Sequence, residues 1–218
     1  MTGPELNEWR LRLESWLGAQ PTDGDAAHDM AHLRRVWNTA RRLLPSFPAA
    51  DALVVLAACY LHDLVNLPKN DPRRALASRL AAERSHEVLA GLGFPAERIA
   101  AVAHAIEAHS FSAAIEPLTE EACIVQDADR MDALGAVGLA RMFYVSGRLE
   151  RKLAHADDPL AAQRPLDDLE YALDHIEVKL ARLPAMMRTR AGAQLAETRL
   201  QRILAFREQF IDEWGGAN

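Results

Sequence analysis

Residues 52–63 read ALVVLAACYLHD, and the first ten of them carry no charged side chain. A helix that is apolar on nearly every face is typical of the centre of an all-α core. The run is about half as long as a membrane span requires. No part of the chain alternates apolar and polar residues over the length of a strand. The segment therefore predicts an all-α, single-domain helical bundle in which a helix over about 49–64 is central.

Helical periodicity continues outward from this segment in both directions. Helices are predicted over residues 6–16, 25–44, 73–92, 95–108, 119–131, 166–183 and 189–214, and a loop over 157–165. The helix at 119–131 is expected to continue or kink through Gly135 and Gly138 towards Arg148. Gly93 suits a helix end and Thr119 a helix start. The prediction is one domain over 1–218, with a core at about 25–145 and C-terminal helices at about 166–214 packing on it.

The composition excludes several classes of protein. The 218 residues include 25 Lys+Arg and 31 Asp+Glu, which leaves a net charge of −6. A protein that coats DNA or RNA needs a basic surface, so a nucleic-acid polymer is not an expected partner. Cys59 and Cys123 are too few for a disulfide framework, and the N-terminus does not resemble a signal peptide. We expect a cytoplasmic protein without a membrane partner.

Three clusters combine His and Asp beside apolar helical sequence: His28-Asp29-x-x-His32, His62-Asp63, and Asp127-Ala128-Asp129-Arg130-Met131-Asp132. Between Glu116 and Asp132 there are six acids and one base. Charges beside buried sequence are costly unless they are paired or bind a metal. Each cluster also has an interpretation without a metal. These are a surface His pair or a helix cap, a His and a solvated Asp at a helix end, and a solvated acidic helix face.

The ordered set His32…His62-Asp63…Asp129 resembles the HD-domain superfamily of metal-dependent phosphohydrolases. As in that family, the first His precedes an Arg-Val pair, the His-Asp pair follows an apolar helix, and the last Asp stands in an Ala-Asp dipeptide. The resemblance covers about residues 25–210. It implies that these four residues bind a divalent transition metal (Mn, Fe, Co, Ni or Zn, with Mg a further candidate). Asp127 stays the alternative to Asp129, because the choice rests on the Ala-Asp register.

The resemblance also implies roles around the ion. Asp63 is expected to orient or deprotonate the attacking water. Asp127 and Asp132 are expected to support the ligands or the fold, each paired with an arginine. The candidate arginines are Arg35, Arg130 and Arg141, of which Arg35 is also expected beside the ligands. Asn66 stands where some family members have an acid; it can orient a water but cannot take its proton, which weakens a 5′-monophosphatase interpretation. Predicted substrate contacts are Lys69, Arg73, Arg79, His104 and His109. The alternatives are a solvated basic helix face and a His at a helix end.

The resulting prediction is an enzyme that cleaves a small phosphate ester or anhydride with metal-activated water. A nucleotide is the expected substrate, and nucleoside triphosphate pyrophosphohydrolysis is a candidate reaction, since the basic cluster after His62-Asp63 suits a polyphosphate. The alternatives are a phosphodiesterase or phosphomonoesterase at the same site, and a non-catalytic nucleotide or metal sensor. A homodimer is left open.

Overall fold

A computed structural model describes residues 3–20, 29–65, 67, 71, 73–110 and 113–215. The helices in these ranges are α1 Gly3–Gly18, α2 Met30–Leu43, α3 Ala52–Leu61, α4 Ala77–Gly91, α5 Ala96–His109, α6 Glu120–Met131, α7 Gly135–Arg148, α8 His175–Val178 and α9 Arg190–Trp214. Over the same ranges there is no strand, only an isolated bridge between Lys152 and Tyr171. The all-α prediction is confirmed. None of the described helices is long and apolar enough to cross a membrane.

Helix α3 is the central helix that its sequence predicts. Every residue from Leu53 to Leu61 is buried, and the helix packs against α1, α2, α4 and α5. It begins later than expected because the Asp51 carboxylate accepts the Leu53 N–H at 2.9 Å and caps the helix there. Its end at Leu61 leaves the following His62 and Asp63 in the turn beyond the apolar segment.

The chain divides into two compact units, one running to Asp129 and the other beginning at Arg130. The first contains α1 to α5 and most of α6. The helical spacing of Leu33, Val36, Trp37, Ala40 and Leu44 predicts a buried stripe on this helix. Helix α2 buries the first four of them, and its last buried residue is Leu43 instead of Leu44. The turn between α4 and α5 passes through Gly93 at a φ of +72°, a left-handed conformation that favours glycine and ends α4 as predicted.

The second unit has its own core, in which α7 packs on α9. Buried members of that core include Met131, Leu134, Met142, Leu173, Ile176, Leu180, Ala196, Leu200 and Ile203. Helix α9 begins where Thr189 accepts the Gly192 N–H at 2.9 Å, which confirms the predicted start of this helix. The predicted loop at 157–165 is also free of helix.

The predicted helix over 166–183 is wrong. Only His175–Val178 is α-helical there, followed by 3₁₀ turns at Leu180–Arg182 and Pro184–Met186. The Asp167 carboxylate accepts the Leu169 N–H at 3.0 Å and the Glu170 N–H at 3.2 Å. Such bonds from an Asp side chain to nearby backbone stabilise turns at the expense of helix. The apolar residues of this segment, among them Leu173, Ile176 and Leu180, are buried in the core of the second unit although the chain there is not a continuous helix.

Helices α6 and α7 are separate, so the helix that ends at Met131 does not continue through Gly135 and Gly138 as one straight helix. The chain turns after Met131, and Gly135 opens α7 at a φ of +75°. A Cβ built at Gly138 would lie 2.2 Å from the carbonyl carbon and oxygen of Ala133. The first turn of α7 therefore lies against the backbone of the preceding turn, a close approach that only glycine allows.

Candidate metal centre

His62 is held by the end of α3. Its side chain is buried, and its Nδ1 lies 3.0 Å from the Cys59 carbonyl oxygen one turn earlier. A carbonyl oxygen only accepts hydrogen bonds, so Nδ1 carries a proton and donates it. In the neutral ring the Nε2 atom then presents a lone pair to the site. A ring oriented in this way by a backbone carbonyl is typical of a histidine that binds a metal.

His32 and Asp129 arrive from two other helices. His32 lies in the first turn of α2, where the Asp29 carboxylate accepts its backbone N–H at 2.9 Å and caps the helix. Its side chain is buried. Asp129 lies in the last turn of α6, with 27% of its side chain exposed. Asp63, beside His62, has 20% exposed. The carboxylates therefore lie on the open side of the cluster and the imidazoles on the buried side.

The carboxylates of Asp63 and Asp129 both lie beside the imidazoles of His32 and His62. The Nε2 atoms of His32 and His62 are 3.2 Å apart. Asp63 Oδ2 lies 3.5 Å from His32 Nε2 and 3.3 Å from His62 Nε2. Asp129 Oδ1 lies 3.5 Å and 3.6 Å from the same two atoms. Residues that are far apart in sequence thus place two carboxylate oxygens beside the same pair of imidazole nitrogens.

These spacings fit a divalent cation. Around an ion with bonds of about 2.1 Å, neighbouring ligand atoms lie about 3.0 Å apart in an octahedron and about 3.4 Å apart in a tetrahedron. The observed separations of 3.2 to 3.6 Å fall in and just beyond that range. Two imidazoles and two carboxylates form a mixed nitrogen and oxygen set that suits Mn²⁺, Fe²⁺, Co²⁺, Ni²⁺ or Zn²⁺. His32, His62 and Asp129 form one compact group that could hold such an ion.

The pKa shifts of His62 and Asp129 indicate that the cluster favours a positive charge at its centre. Burial disfavours the charged form of His62, but the carboxylates of Asp63 and Asp129 outweigh burial and raise its pKa well above the usual value. Burial likewise raises the pKa of Asp129, yet the neighbouring imidazole of His62 outweighs burial and holds that pKa well below its usual range. Without an ion the protein thus places a proton between these groups. A bound cation would take the place of that proton.

His109 extends the cluster on the other side of Asp63. Its Nδ1 donates to the Ile106 carbonyl at 2.6 Å, and its Nε2 lies 3.9 Å from Asp63 Oδ1. The ring contacts His62 edge to face, with centroids 4.8 Å apart. Burial, followed by the neighbouring His62, lowers the pKa of His109 and favours its neutral form. His62, Asp63 and His109 form a second compact group of potential metal ligands, which shares His62 with the group of His32, His62 and Asp129.

Comparison with known proteins identifies the family. The model of the HD domain matches residues 30–134. The Bacillus subtilis protein YpgQ, itself uncharacterized, is 33% identical over 202 residues, which are 91% of this chain and 90% of YpgQ. The chain belongs to the HD-domain family. That family binds divalent metals, and the His and Asp cluster is a group that could hold one.

Solved HD-domain structures agree with this assignment over nearly the whole chain. The crystal structure of B. subtilis YpgQ in complex with ADP superposes with a TM-score of 0.71 at 30% identity, covering 96% of this chain and 95% of that one. An HD-superfamily hydrolase from Bacillus thuringiensis gives a TM-score of 0.74 at 28% identity, covering 98% and 100%. The HD-domain relationship therefore extends beyond the residues that the family model matches.

Among the acids of α6 and its end, the structure separates Asp129 from the others. Asp127 is fully buried and, among the described residues, is absent from both groups of potential ligands. Asp132 pairs with Arg141, one of the partners proposed for it, and both lie in the second unit. Arg35 is partly buried on α2. The assignment of Asp129 as the ligand remains a prediction that this geometry favours.

The predicted substrate contacts are only partly placed. His28, Asn66 and Lys69 lie outside the described residues. Arg73 is exposed and paired with Asp71 at 3.1 Å, and Arg79 is exposed on α4. His104 Nε2 accepts the Leu118 N–H at 3.0 Å, so that nitrogen is engaged by the backbone. His109 alone among the described members of this set lies in the cluster, and all these roles remain predictions.

Sequence reasoning overlooked Gln126, whose amide links α6 to α5 beside the cluster. A signal for it was present, because it is a polar residue between apolar neighbours in a helix expected to be buried on one side. The two carbonyls that orient His62 and His109 could not be singled out from sequence. Every residue has a carbonyl, and only the helix ends show which ones are left for side chains.

Proposed function

We propose that this chain is a metal-dependent phosphohydrolase that cleaves a small phosphate ester or anhydride, with a nucleotide as the preferred substrate class. The observation that carries the proposal is the cluster of His32, His62, Asp63 and Asp129. Its two imidazole nitrogens lie 3.2 Å from each other, and 3.3 to 3.6 Å from the two carboxylate oxygens. A divalent ion held by these residues supplies, when bound, a water of lowered pKa and a Lewis acid for a phosphoryl oxygen.

The chain's own residues prepare that chemistry. The Cys59 carbonyl accepts from His62 Nδ1, so His62 Nε2 faces the site and is the atom that would bind an ion once its proton is displaced. Asp63 directs Oδ2 towards the two histidine nitrogens and Oδ1 towards His109. A carboxylate in this position can orient a water through one oxygen while the other faces the ion. The 3.9 Å between Asp63 Oδ1 and His109 Nε2 exceeds a direct hydrogen bond.

The nucleotide preference has support from a relative. YpgQ, 30% identical to this chain in the structural comparison, has been crystallised in complex with ADP. Nucleoside triphosphate pyrophosphohydrolysis is the reaction that we place first, because the sequence after His62-Asp63 carries Lys69, Arg73 and Arg79 for a polyphosphate. Phosphodiester or phosphomonoester hydrolysis would use the same side chains.

A substrate screen tests the proposal. The purified protein is supplied with Mn²⁺ and offered nucleoside mono-, di- and triphosphates, cyclic nucleotides and simple phosphate esters. A monophosphate and pyrophosphate from a triphosphate is the expected result. Release of orthophosphate alone would favour a phosphomonoesterase, and cleavage of a cyclic nucleotide a phosphodiesterase. Tight nucleotide binding without any product would refute an enzyme and favour a sensor.

Two matched pairs of variants test the residues. His62→Ala should abolish turnover, whereas His86→Ala, at an exposed position on α4, should leave it within twofold of the wild type. Asp129→Asn should lose Mn²⁺, measured by metal analysis after desalting, and Asp127→Asn should retain it. Loss of the ion from Asp127→Asn alone would overturn the ligand set proposed here.

A further inference from the structure

The amide of Gln126 joins two helices that carry the cluster. Gln126 lies one turn before Asp129 on α6 and has a relative exposure of 1%. Its Nε2 donates to the Ala108 carbonyl at 2.6 Å, at the end of α5. His109 is the next residue and the last of that helix. The bond therefore connects the helix of Asp129 to the helix end that holds His109.

The end of α5 depends on side chains for its hydrogen bonds. The last four carbonyls of an α-helix have no partner within the helix. In α5 the Ile106 carbonyl accepts from His109 Nδ1, and the Ala108 carbonyl accepts from Gln126 Nε2, both at 2.6 Å. The same short segment thus contains the bond that orients the His109 ring and the bond that fixes the backbone beside it.

An amide at this position is costly unless it forms such a bond. Ile124, Val125 and Ala128, its neighbours on α6, are buried and apolar. Burying an amide without a partner costs about 1 to 3 kcal/mol, whereas an apolar side chain would fill the space at no such cost. An apolar side chain would nevertheless leave the Ala108 carbonyl without this donor. What the amide contributes beyond packing is therefore the link between α6 and the end of α5.

We propose that Gln126 is a positioning residue of the cluster. It holds the C-terminal end of α5 against α6, and through that end it keeps His109 Nε2 directed at Asp63. The inference rests on the proposed function only for its kinetic test, because the orientation of the His109 ring can be measured without substrate.

The variant Gln126→Met keeps the length of the side chain and removes the donor. Its matched control is Ser85→Ala, which removes another buried bond from a side chain to a backbone carbonyl, 2.7 Å long and within α4 of the same unit. In ¹⁵N-histidine NMR spectra, with His109 assigned by the difference from His109→Ala, Gln126→Met should weaken or abolish the Nδ1–H signal of His109. The control should keep it.

The kinetic test is a double-mutant cycle on nucleoside triphosphate hydrolysis with Mn²⁺. Gln126→Met should lower kcat/KM about tenfold, the lower end of the range for residues that support metal ligands. Because Gln126 acts through His109, adding Gln126→Met to His109→Ala should cause less than a twofold further loss. Fully additive losses would overturn the inference.

Three other results would also overturn it: an unchanged His109 signal in Gln126→Met, the same loss of signal in Ser85→Ala, or kcat/KM within twofold of the wild type. If Gln126→Met does not fold, Gln126→Glu replaces the donor nitrogen by an oxygen at the same length and is expected to lose the same signal. A wild type without any hydrolysis would refute the proposed function, while the NMR comparison would still decide the position of the ring.

Discussion

Asp63 and Asp174 are both largely withdrawn from solvent, but their oxygens face different partners. Asp174, in the second unit, has 1% of its side chain exposed. It accepts two hydrogen bonds from the Arg164 guanidinium at 2.6 and 2.8 Å and one from the Asp167 N–H at 2.7 Å. Asp63, in the first unit, faces the ring nitrogens of His32, His62 and His109. Asp174 thus faces a guanidinium, whereas Asp63 faces three imidazole nitrogens.

The difference separates a structural acid from an acid of a binding site. Arg carries its charge at any ordinary pH, so Arg164 neutralises Asp174 without help. A neutral histidine whose Nδ1 donates to a carbonyl presents a lone pair, which stabilises a nearby carboxylate only when a proton or a metal ion lies between them. Asp132, paired with Arg141, belongs to the first kind. Four predictions follow, from the largest expected effect to the smallest, and three of them test this distinction.

Removing the Asp63 carboxylate should lower activity and metal content while leaving the stability of the fold nearly unchanged. Asp63→Ala is expected to lower kcat/KM by about 10³-fold or more, with bound Mn²⁺ falling from about one ion per chain to below one tenth, since a metal ligand is lost. Thermal unfolding in EDTA should stay close to that of the wild type. Full metal occupancy in Asp63→Ala would show that this acid does not bind the ion.

Removing Asp174 should cost stability instead. Asp174→Ala leaves Arg164 largely buried without its partner and is expected to lower the free energy of unfolding by about 3 kcal/mol in urea titration. The control is Glu170→Ala, which breaks an exposed pair with Lys152 and should change the free energy of unfolding little. Equal losses in the two variants would contradict a special role for the buried pair.

The third-largest effect is expected from a substitution at the close backbone contact at the start of α7. Gly138→Ala places a methyl group 2.2 Å from the Ala133 carbonyl, and we expect about 2 kcal/mol of destabilisation by chemical denaturation. Gly147 lies in the same helix with nothing within 4 Å of an added Cβ. Gly147→Ala should therefore be neutral or stabilising by up to about 1 kcal/mol. A neutral Gly138→Ala would mean that the approach of the two backbones is not needed.

Glu14 is an acid of the first unit that faces arginines, so it should behave like Asp174. The hydrogen bond from Arg34, joined by those from Tyr60 and Arg10, outweighs burial and lowers the pKa of Glu14 to about 2. A lowered pKa stabilises the fold above the unfolded value of about 4.3, and this stabilisation is lost as the pH falls towards 2.

Glu14→Gln should therefore cost about 1 to 2 kcal/mol at pH 7, and the difference from the wild type should shrink between pH 4.3 and pH 2. Unfolding curves recorded across this range provide the measurement. Glu8→Gln, whose pair with Arg12 on the same helix is exposed, serves as the control and should change the free energy of unfolding little. A constant difference between Glu14→Gln and the wild type would remove the electrostatic explanation.

Much of this organisation could be predicted from residues close in sequence. The apolar run of α3, the Thr119 and Thr189 helix starts and the Gly93 turn all follow from local patterns, and the structure has them where they were expected. The helix predicted over 166–183 is wrong. The Asp167 side chain accepts hydrogen bonds from nearby backbone and the Asp174 side chain pairs with Arg164, and helical periodicity does not reveal either interaction.

The sequence by itself indicated that His62-Asp63 ends a buried helix, since helix periodicity is a local property. The resemblance to the HD-domain family implied His32 and Asp129 as partners of that pair, with Asp127 left as the alternative. Only the tertiary structure decided how the donor atoms meet. The directions of α2, α3, α5 and α6 bring Asp129, rather than the buried Asp127, to the two imidazoles. They also bring His109 and Gln126 together at the end of α5, because side chains from separate helices share a site only when packing fixes the angles between those helices.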